Sequence, residues 1–241
     1  LSQWQEKCTA KKSDFIWIKD IKPNPNPKDI IEALTQIGDK QIELIIAVGG
    51  GSAIDLAKAI SAFHNDESAF IYTVDEITRS IKKKEYQEKK FTDIIAVPST
   101  AGTGSEVTQW ATIWDENQKS KYSIDHPRLK PKMTFIVPEL TINMEPELTL
   151  ATGLDAICQA IEAYWSRHTT PLVQEIAYRA IEIGIQNLKI AVDKPMDFTV
   201  RENLCKASVL AGLAFAQTRT TACHSISYPL TMFFYVPHRL A

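Results

Sequence analysis

Apolar residues along the chain recur with a helical spacing, then in continuous runs, then with a helical spacing again, and these changes of period mark out its elements. Behind the Pro-rich entry PNPNPKD, Ile30, Ile31, Leu34 and Ile37 predict an amphipathic helix over Pro27–Ile37. Glu43 to Val48 (ELIIAV) is a short, nearly continuous apolar run, which predicts a strand buried on both faces of a parallel sheet. It leads into Gly49-Gly50-Gly51-Ser52, after which Ile54, Ala57, Ile60 and Ala62 restore the helical period over Ala53–Phe63. A second strand is predicted at Asp93–Pro98, with short strands at Trp110–Trp114, Lys121–Ile124 and Met133–Val137. From Pro146 the pattern is helical almost to the end, over Glu147–Trp165, Leu172–Leu188 and Phe198–Phe215. The expectation is an α/β part over residues 1–142 followed by an all-helical part over 143–241.

Composition narrows this picture only a little. The 241 residues carry 27 Lys and Arg against 29 Asp and Glu, a net charge of −2, so nothing points to nucleic acid or an anionic membrane as partner. The Lys82-Lys83-Lys84 run, inside the polar segment His64–Lys90, reads as a solvated surface face. Cys8, Cys158, Cys205 and Cys223 show no CxxC spacing, and a chain of this length with few scattered thiols fits a reducing, cytoplasmic setting. No apolar stretch approaches a membrane span. The chain opens without a Met and closes on what reads as an active-site loop, so a fragment of a longer polypeptide is expected. A homodimer is the default assembly for a soluble enzyme.

Three stretches carry candidate chemistry. Strand, glycine turn and helix together present backbone N–H groups and a helix N-terminus to a phosphate, although GGGS is neither the GxGxxG fingerprint nor a P-loop. The hydroxyl- and glycine-rich loop Ser99–Glu106 follows a predicted strand at its carboxyl end, where open α/β sheets bind ligands. In ATGLDAICQAIEAYW, Asp155 and Gln159 are related as i and i+4, so their side chains leave one helix face about 5–6 Å apart. That is chelating geometry; it is also what a buried helix with an acidic residue near its N-terminus looks like. His224 and His238, with Asp155 and Gln159, complete an O, O, N, N donor set suited to zinc, iron or a similar divalent ion.

GGGSAIDLAKAI, PSTAGTGSEVT, VPELTINMEPELTLATGLDAICQAIEAY, and HSISYPL with VPHR occur here in the order that resembles the iron-containing (group III) alcohol dehydrogenase family. The resemblance runs from about Gly49 to the C-terminus. It implies a dehydroquinate synthase-like fold, with an α/β nucleotide-binding domain, a helical domain, and NAD or NADP and a divalent metal, iron or zinc, in the cleft between them. By resemblance, Asp155, His224 and His238 are metal ligands, and Gly50, Gly51, Ser52, Asp55, Thr100, Thr103, Ser105, Thr108 and Lys121 contact the cofactor. The reaction implied is hydride transfer between NAD(P)H and a small aldehyde, the metal polarising the aldehyde oxygen. The same resemblance implies that a first strand-helix unit and a set of C-terminal helices are missing.

Three positions depart from the family pattern. Gln159 stands where most members have a ligating His, Tyr228 where many have a second His, and Arg239 where Gly usually follows His238. Gln159 remains a weaker fourth ligand, and Tyr228 can donate a proton or hydrogen bond without titrating near neutrality. With these departures, LDAICQAIEAYWS and TTACHSISYPLT resemble the phosphonoacetaldehyde reductase (hydroxyethylphosphonate dehydrogenase) branch, and Arg219 is the candidate cation for its phosphonate. Other chemistries stay open: a generic short-chain alcohol dehydrogenase, a glycerol dehydrogenase or dehydroquinate synthase on the same fold, and a non-catalytic nucleotide binder with a degenerate metal site.

Overall fold

In the computed structural model, which describes residues 15–65, 72–115, 118–234 and 236, the α/β part begins with α1 (Pro27–Ile37). Asn26 caps it reciprocally with Asp29. Next come β1 (Leu44–Gly49), α2 (Gly51–Phe63), α3 (Val74–Lys83) and β2 (Asp93–Pro98). A hairpin of β3 (Trp110–Asp115) and β4 (Ser120–Asp125) follows, then the two-residue β5 (Met133–Thr134). β1, β2 and β5 form a parallel sheet in the order β1-β2-β5, with Leu44 opposite Asp93 and Ile95 opposite Met133. β3 and β4 pair separately and antiparallel, Trp114 opposite Lys121. β5 is shorter than the predicted run over Met133–Val137, although Phe135 N–H still donates to Ala96 O at 2.9 Å.

The strand expected to be buried on both faces is buried on one. Ala47 packs with Ile54 and Ala57 of α2 and with Ile94 and Ala96 of β2, but Ile46 and Val48 point away from α2 and are 54% and 49% exposed. The reason is the layering: α2 covers one face of the sheet, and nothing among the described residues covers the other. A second core joins α1, α2, α3 and the hairpin through Leu34, Phe63, Ile77, Ile113 and Ile124.

Lys58, in the middle of α2 and 0% exposed, points toward the hairpin rather than to solvent. Its ammonium donates to Ser105 O (2.7 Å), Ser105 Oγ (2.9 Å), Thr108 Oγ1 (3.3 Å) and Trp110 O (2.8 Å). A buried cation is tolerated because its donors are satisfied. Its consequence is that the loop leading into β3 is bolted to the helix that begins at the glycine turn.

After a short 3-10 turn at Pro138–Thr141, the helical part contains α4 (Pro146–Trp165), α5 (Pro171–Asp193), α6 (Phe198–Thr218) and α7 (Ala222–Phe234). Ala156, Ala160 and Ala163 of α4 meet Ala177 and Ala180 of α5 and Ala211 and Ala214 of α6. Small side chains let the three axes approach closely, and interlocking does the rest: a Cβ on Gly153 would lie 2.4 Å from Leu188, and one on Gly184 would lie 2.7 Å from Ile157. Buried Arg201 ties the entry of α6 to Thr149 of α4 and to the carbonyl of Met144. No helix among the described residues is long and apolar enough to cross a membrane.

Candidate functional site

The glycine turn and the hydroxyl loop are one structure. Gly50 precedes α2 with no side-chain cap, so the first N–H groups of the helix have no capping side chain. Ser99 N–H donates to Gly49 O at 2.9 Å, which lays the second loop along the first. The contact at Gly51 is too close for a side chain, since a Cβ there would sit 2.6 Å from Thr103 Oγ1, and at Gly50 it is tight, 3.2 Å from Thr100 Cγ2. Gly50, Gly51, Thr100 and Thr103 thus line a common ledge at the carboxyl ends of β1 and β2. Ser52, at the start of α2, accepts from Asn24 N–H at 3.1 Å.

Three residues expected at the cofactor lie underneath this ledge. Asp55 accepts from Ser105 Oγ at 2.6 Å and from Thr112 N–H at 2.9 Å. Ser105 and Thr108 are buried and bound to Lys58. Burial raises the Asp55 carboxyl above its ordinary value despite the nearby Lys58. It also lowers the Lys58 ammonium to about 8, against the opposing pull of Asp55 and Glu106. These side chains therefore hold the loops in register. Lys58 carries most of that network, and its only trace in the sequence is its place one turn after Asp55.

The hydroxyl loop also forms the seam to the helical part. A Cβ on Gly102 would meet Thr152 of α4 at 2.6 Å, and one on Gly212 of α6 would meet Val107 at 2.6 Å and the Cα of Gly104 at 3.0 Å. Gly104 itself has φ +63, the left-handed region where a side chain is strained. Trp110 and Phe215 meet across the same seam with rings tilted at 46° and centroids 5.7 Å apart.

Beyond the seam, α4 and α7 bring Asp155, Gln159 and His224 together. His224 Nε2 lies 3.2 Å from Asp155 Oδ1, and Gln159 Nε2 donates to Asp155 Oδ2 at 3.0 Å. Gln159 is 5% exposed, and its Oε1 has no hydrogen-bond partner among the described residues. Fully buried Glu162 takes the other side of the imidazole, accepting from Nδ1. Burial opposes the imidazolium, but the hydrogen bond and charge of Asp155, with Glu162 behind, hold His224 above its usual value. Glu162 is correspondingly low: burial would raise it, and His224 and Thr221 outweigh that. Glu162 was readable only as the next position on the Asp155–Gln159 face. His238 and Arg239 lie outside the described residues.

Lys121 of β4 and Tyr228 of α7 face each other, the ammonium 3.6 Å from the ring centroid, with Trp114 edge-on to Tyr228 at 6.2 Å. Burial lowers Lys121 to about 8, while Asp55 pulls it back up, and burial raises the Tyr228 phenol. Arg219, the candidate cation for a phosphonate, lies at the C-terminal end of α6 with φ +63. Its guanidinium pairs with Asp125 of β4 at 2.7 Å and lies 5.9 Å from the Trp110 ring of β3, so it is held against the hairpin.

Comparison with known proteins agrees with this layout. Residues 1–138 match the family described as iron-containing alcohol dehydrogenase, and residues 149–241 match the C-terminal domain of Fe-containing alcohol dehydrogenases. The 1-propanol dehydrogenase of Citrobacter freundii is 33% identical over 222 residues, covering 92% of this chain and 55% of that protein. The choline dehydrogenase of Bacillus subtilis is 32% identical over 225 residues, with 93% and 55% covered. An iron-containing alcohol dehydrogenase structure from Thermotoga maritima superposes with a TM-score of 0.86 at 29% identity, over 99% of this chain and 63% of that one. A sulfoacetaldehyde reductase from Bifidobacterium kashiwanohense, solved with NAD+, gives a TM-score of 0.81 at 31% identity, again over 99% and 63%. The chain spans about half the length of the curated relatives it matches. With both family matches in chain order and the ledge, seam and α4–α7 cluster in place, the chain belongs to the iron-containing alcohol dehydrogenase family.

Proposed function

We propose that this chain supplies the cofactor ledge and most of the metal site of an NAD(P)-linked, metal-dependent alcohol dehydrogenase that works as an aldehyde reductase. The observation that carries the reading is the buried, unpartnered Gln159 Oε1 beside Asp155 and His224 Nε2. A buried amide oxygen without a donor is costly, and a cation bound by Asp155, Gln159, His224 and His238 removes that cost. The O and N donors fit iron, the ion in the family's name, and equally zinc. Bound there, such an ion supplies Lewis acidity toward the oxygen of an aldehyde or alcohol.

The chain's own residues do the rest. The ledge of Gly50, Gly51, Ser52, Thr100 and Thr103 offers N–H and O–H donors to the cofactor phosphates. Lys121 adds a cation, and Asp55, Ser105 and Thr108 keep the ledge in shape from below. Tyr228, whose phenol stays protonated at neutral pH and is hydrogen-bonded with Thr220, would donate a hydrogen bond to the substrate oxygen. The glycine seam holds the hydroxyl loop against Thr152, one turn before Asp155 on α4, so a cofactor on the ledge would present its hydride toward the metal ligands and closure around substrate would displace water.

For the substrate we propose an aldehyde bearing an anionic group, phosphonoacetaldehyde reduced to 2-hydroxyethylphosphonate. The combination of Gln159 and Tyr228 supports it, as does likeness to a sulfoacetaldehyde reductase. A second reading, a short-chain alcohol dehydrogenase, is favoured by the pairing of Arg219 with Asp125, which already occupies the proposed anion-binding cation. NAD(P)H consumption by the full-length protein with phosphonoacetaldehyde, sulfoacetaldehyde and propanal decides between them. Higher kcat/KM on the anionic aldehydes supports the first; equal efficiency on all three leaves the second. Metal analysis of protein purified without chelator tests the site itself, and a vacant site at ample iron and zinc removes the metal-dependent reading.

A further inference from the structure

We propose that Glu162 is the positioning residue of the α4–α7 site: it caps the first turn of α7 from a neighbouring helix and, with the same carboxylate, sets the tautomer of His224 so that Nε2 is the nitrogen delivered to Asp155 and Gln159. The inference rests on the metal-site reading above and extends it to a residue outside the ligand set.

Glu162 follows Gln159 on the face of α4 that carries Asp155, but its environment differs. It is 0% exposed, and among the described residues its carboxylate is hydrogen-bonded to Thr221, Cys223 and His224, the segment that delivers the histidine. Oε1 accepts from Thr221 Oγ at 3.0 Å, Cys223 N–H at 2.8 Å and His224 N–H at 3.3 Å. Oε2 accepts from His224 Nδ1. Two N–H groups in the opening turn of α7, which have no acceptor within their own helix, are thus satisfied by a residue of α4. Thr221, the residue just ahead of α7, spends its hydroxyl on Glu162 and on Trp165 Nε1, so the cap is supplied from outside. A carboxylate at this end also meets the positive end of the helix dipole.

One carboxylate therefore grips His224 twice, by its backbone and by its ring. With Nδ1–H held by Glu162, the lone pair available to a metal is on Nε2, the nitrogen 3.2 Å from Asp155. A histidine ligand whose other nitrogen donates to a carboxylate is oriented and made more basic by it.

Capping and tautomer control separate chemically. In Glu162→Gln the amide oxygen can still accept from Cys223 and His224 N–H, so the cap survives. Its NH2 group, however, faces Nδ1 as a donor and favours the tautomer with the proton on Nε2, where the ligand lone pair is needed. Thr221→Val removes one hydrogen bond to Glu162 and leaves the ring contact alone.

The test is Co2+ binding by metal-stripped full-length protein, read from the d–d absorption and by chelator competition, together with 15N NMR of the His224 ring in the wild type loaded with Zn2+. We expect Glu162→Gln to bind Co2+ about 10- to 100-fold more weakly than wild type, Thr221→Val to bind as wild type does, and wild-type His224 to carry its proton on Nδ1. Wild-type affinity in Glu162→Gln overturns the proposal and leaves Glu162 as a helix cap. The NMR measurement needs no variant, and a proton on Nε2 overturns the proposal even if Glu162→Gln fails to fold. Absence of Co2+ uptake by the wild type overturns the metal site as well, an outcome distinct from equal uptake by wild type and variant.

Discussion

Gly51 lies so close to Thr103 that a Cβ on it would fall 2.6 Å from Oγ1 and 2.7 Å from Cγ2. The two loops that form the ledge therefore define each other's shape, and Gly51→Ala must push them apart. Overpacking of this kind costs about 1–3 kcal/mol. Because the segment that has to move is the proposed phosphate-binding surface, we expect NAD(P)H to bind about five- to a hundredfold more weakly, each 1.4 kcal/mol being one decade. Fluorescence titration with both dinucleotides measures this. The double variant Gly51→Ala/Thr103→Gly, which restores the space, should recover part of the loss.

The seam predicts a second glycine effect, on stability rather than on binding. Gly212→Ala would place a methyl group 2.6 Å from Val107 Cγ2 and 3.0 Å from the Cα of Gly104. Helix α6 and the hydroxyl loop must then separate, at a cost of about 1–3 kcal/mol in urea denaturation. Val107→Ala introduced alongside should return only a fraction of that, since the backbone of Gly104 cannot yield.

Much of this arrangement was legible in the chain, and the parts that were not have physical reasons. Period changes placed β1, β2 and the helices α1, α2, α4, α5 and α6 within a few residues, because a buried face leaves a strong pattern, whereas α3, inside the polar segment His64–Lys90, and α7 had no predicted bounds. The same pattern overstated β1: an apolar run reports what the strand can bury, whereas the exposure of Ile46 and Val48 depends on which helices lie over the sheet. Asp155, Gln159 and His224 were visible as donors, and the structure brings them together. The loop PSTAGTGSE read as a ligand-binding loop at the end of a strand; its two glycines, Gly102 and Gly104, serve the seam, a role set by residues of α4 and α6 far along the chain. Lys58 and Glu162 gave little signal, since a charged residue in a helix reads as surface until its partners in other elements are known.

Lys58 offers a test of the network under the ledge. Lys58→Met keeps much of the volume but leaves Ser105 O and Trp110 O without their buried donor, and we expect a loss of about 3–5 kcal/mol in chemical denaturation. The pH dependence has a definite sign. The folded-state pKa, about 8, lies below the ordinary lysine value of 10.5, so between them the unfolded chain holds a proton that the folded one has released. Stability should therefore rise as pH increases from about 8 toward 10.5, and this part of the profile should vanish in Lys58→Met.

Arg219 separates the two substrate readings. Its pair with Asp125 is exposed on the arginine side, 71%, so Arg219→Ala should change stability by no more than about 1 kcal/mol. If the guanidinium leaves Asp125 to meet an anionic substrate, the same variant raises KM for phosphonoacetaldehyde by about tenfold or more and leaves KM for propanal unchanged. Asp125→Asn, which releases the guanidinium, should move KM for the anionic aldehyde the opposite way. Parallel changes on both substrates assign Arg219 to holding the hairpin against α6.

Lys121 gives the ledge a pH dependence of its own. Burial lowers its ammonium to about 8, with Asp55 pulling the other way, and the Tyr228 ring 3.6 Å away replaces part of its lost hydration. Below pH 8 it is a cation, and above that it is neutral, so if it contacts the cofactor phosphates it does so as a charge only below that pH. NAD(P)H affinity should therefore fall as pH rises through about 8, by about tenfold for the loss of one charged contact. Bound phosphate favours the ammonium, so binding near that pH should be accompanied by proton uptake, measurable by calorimetry in buffers of different ionisation enthalpy. Lys121→Met should bind weakly at every pH with no inflection near 8, and Lys121→Arg should carry strong binding to higher pH, because a guanidinium does not titrate there. A flat wild-type profile from pH 6.5 to about 9.5 would place the Lys121 ammonium away from the cofactor and leave it the work of orienting Tyr228.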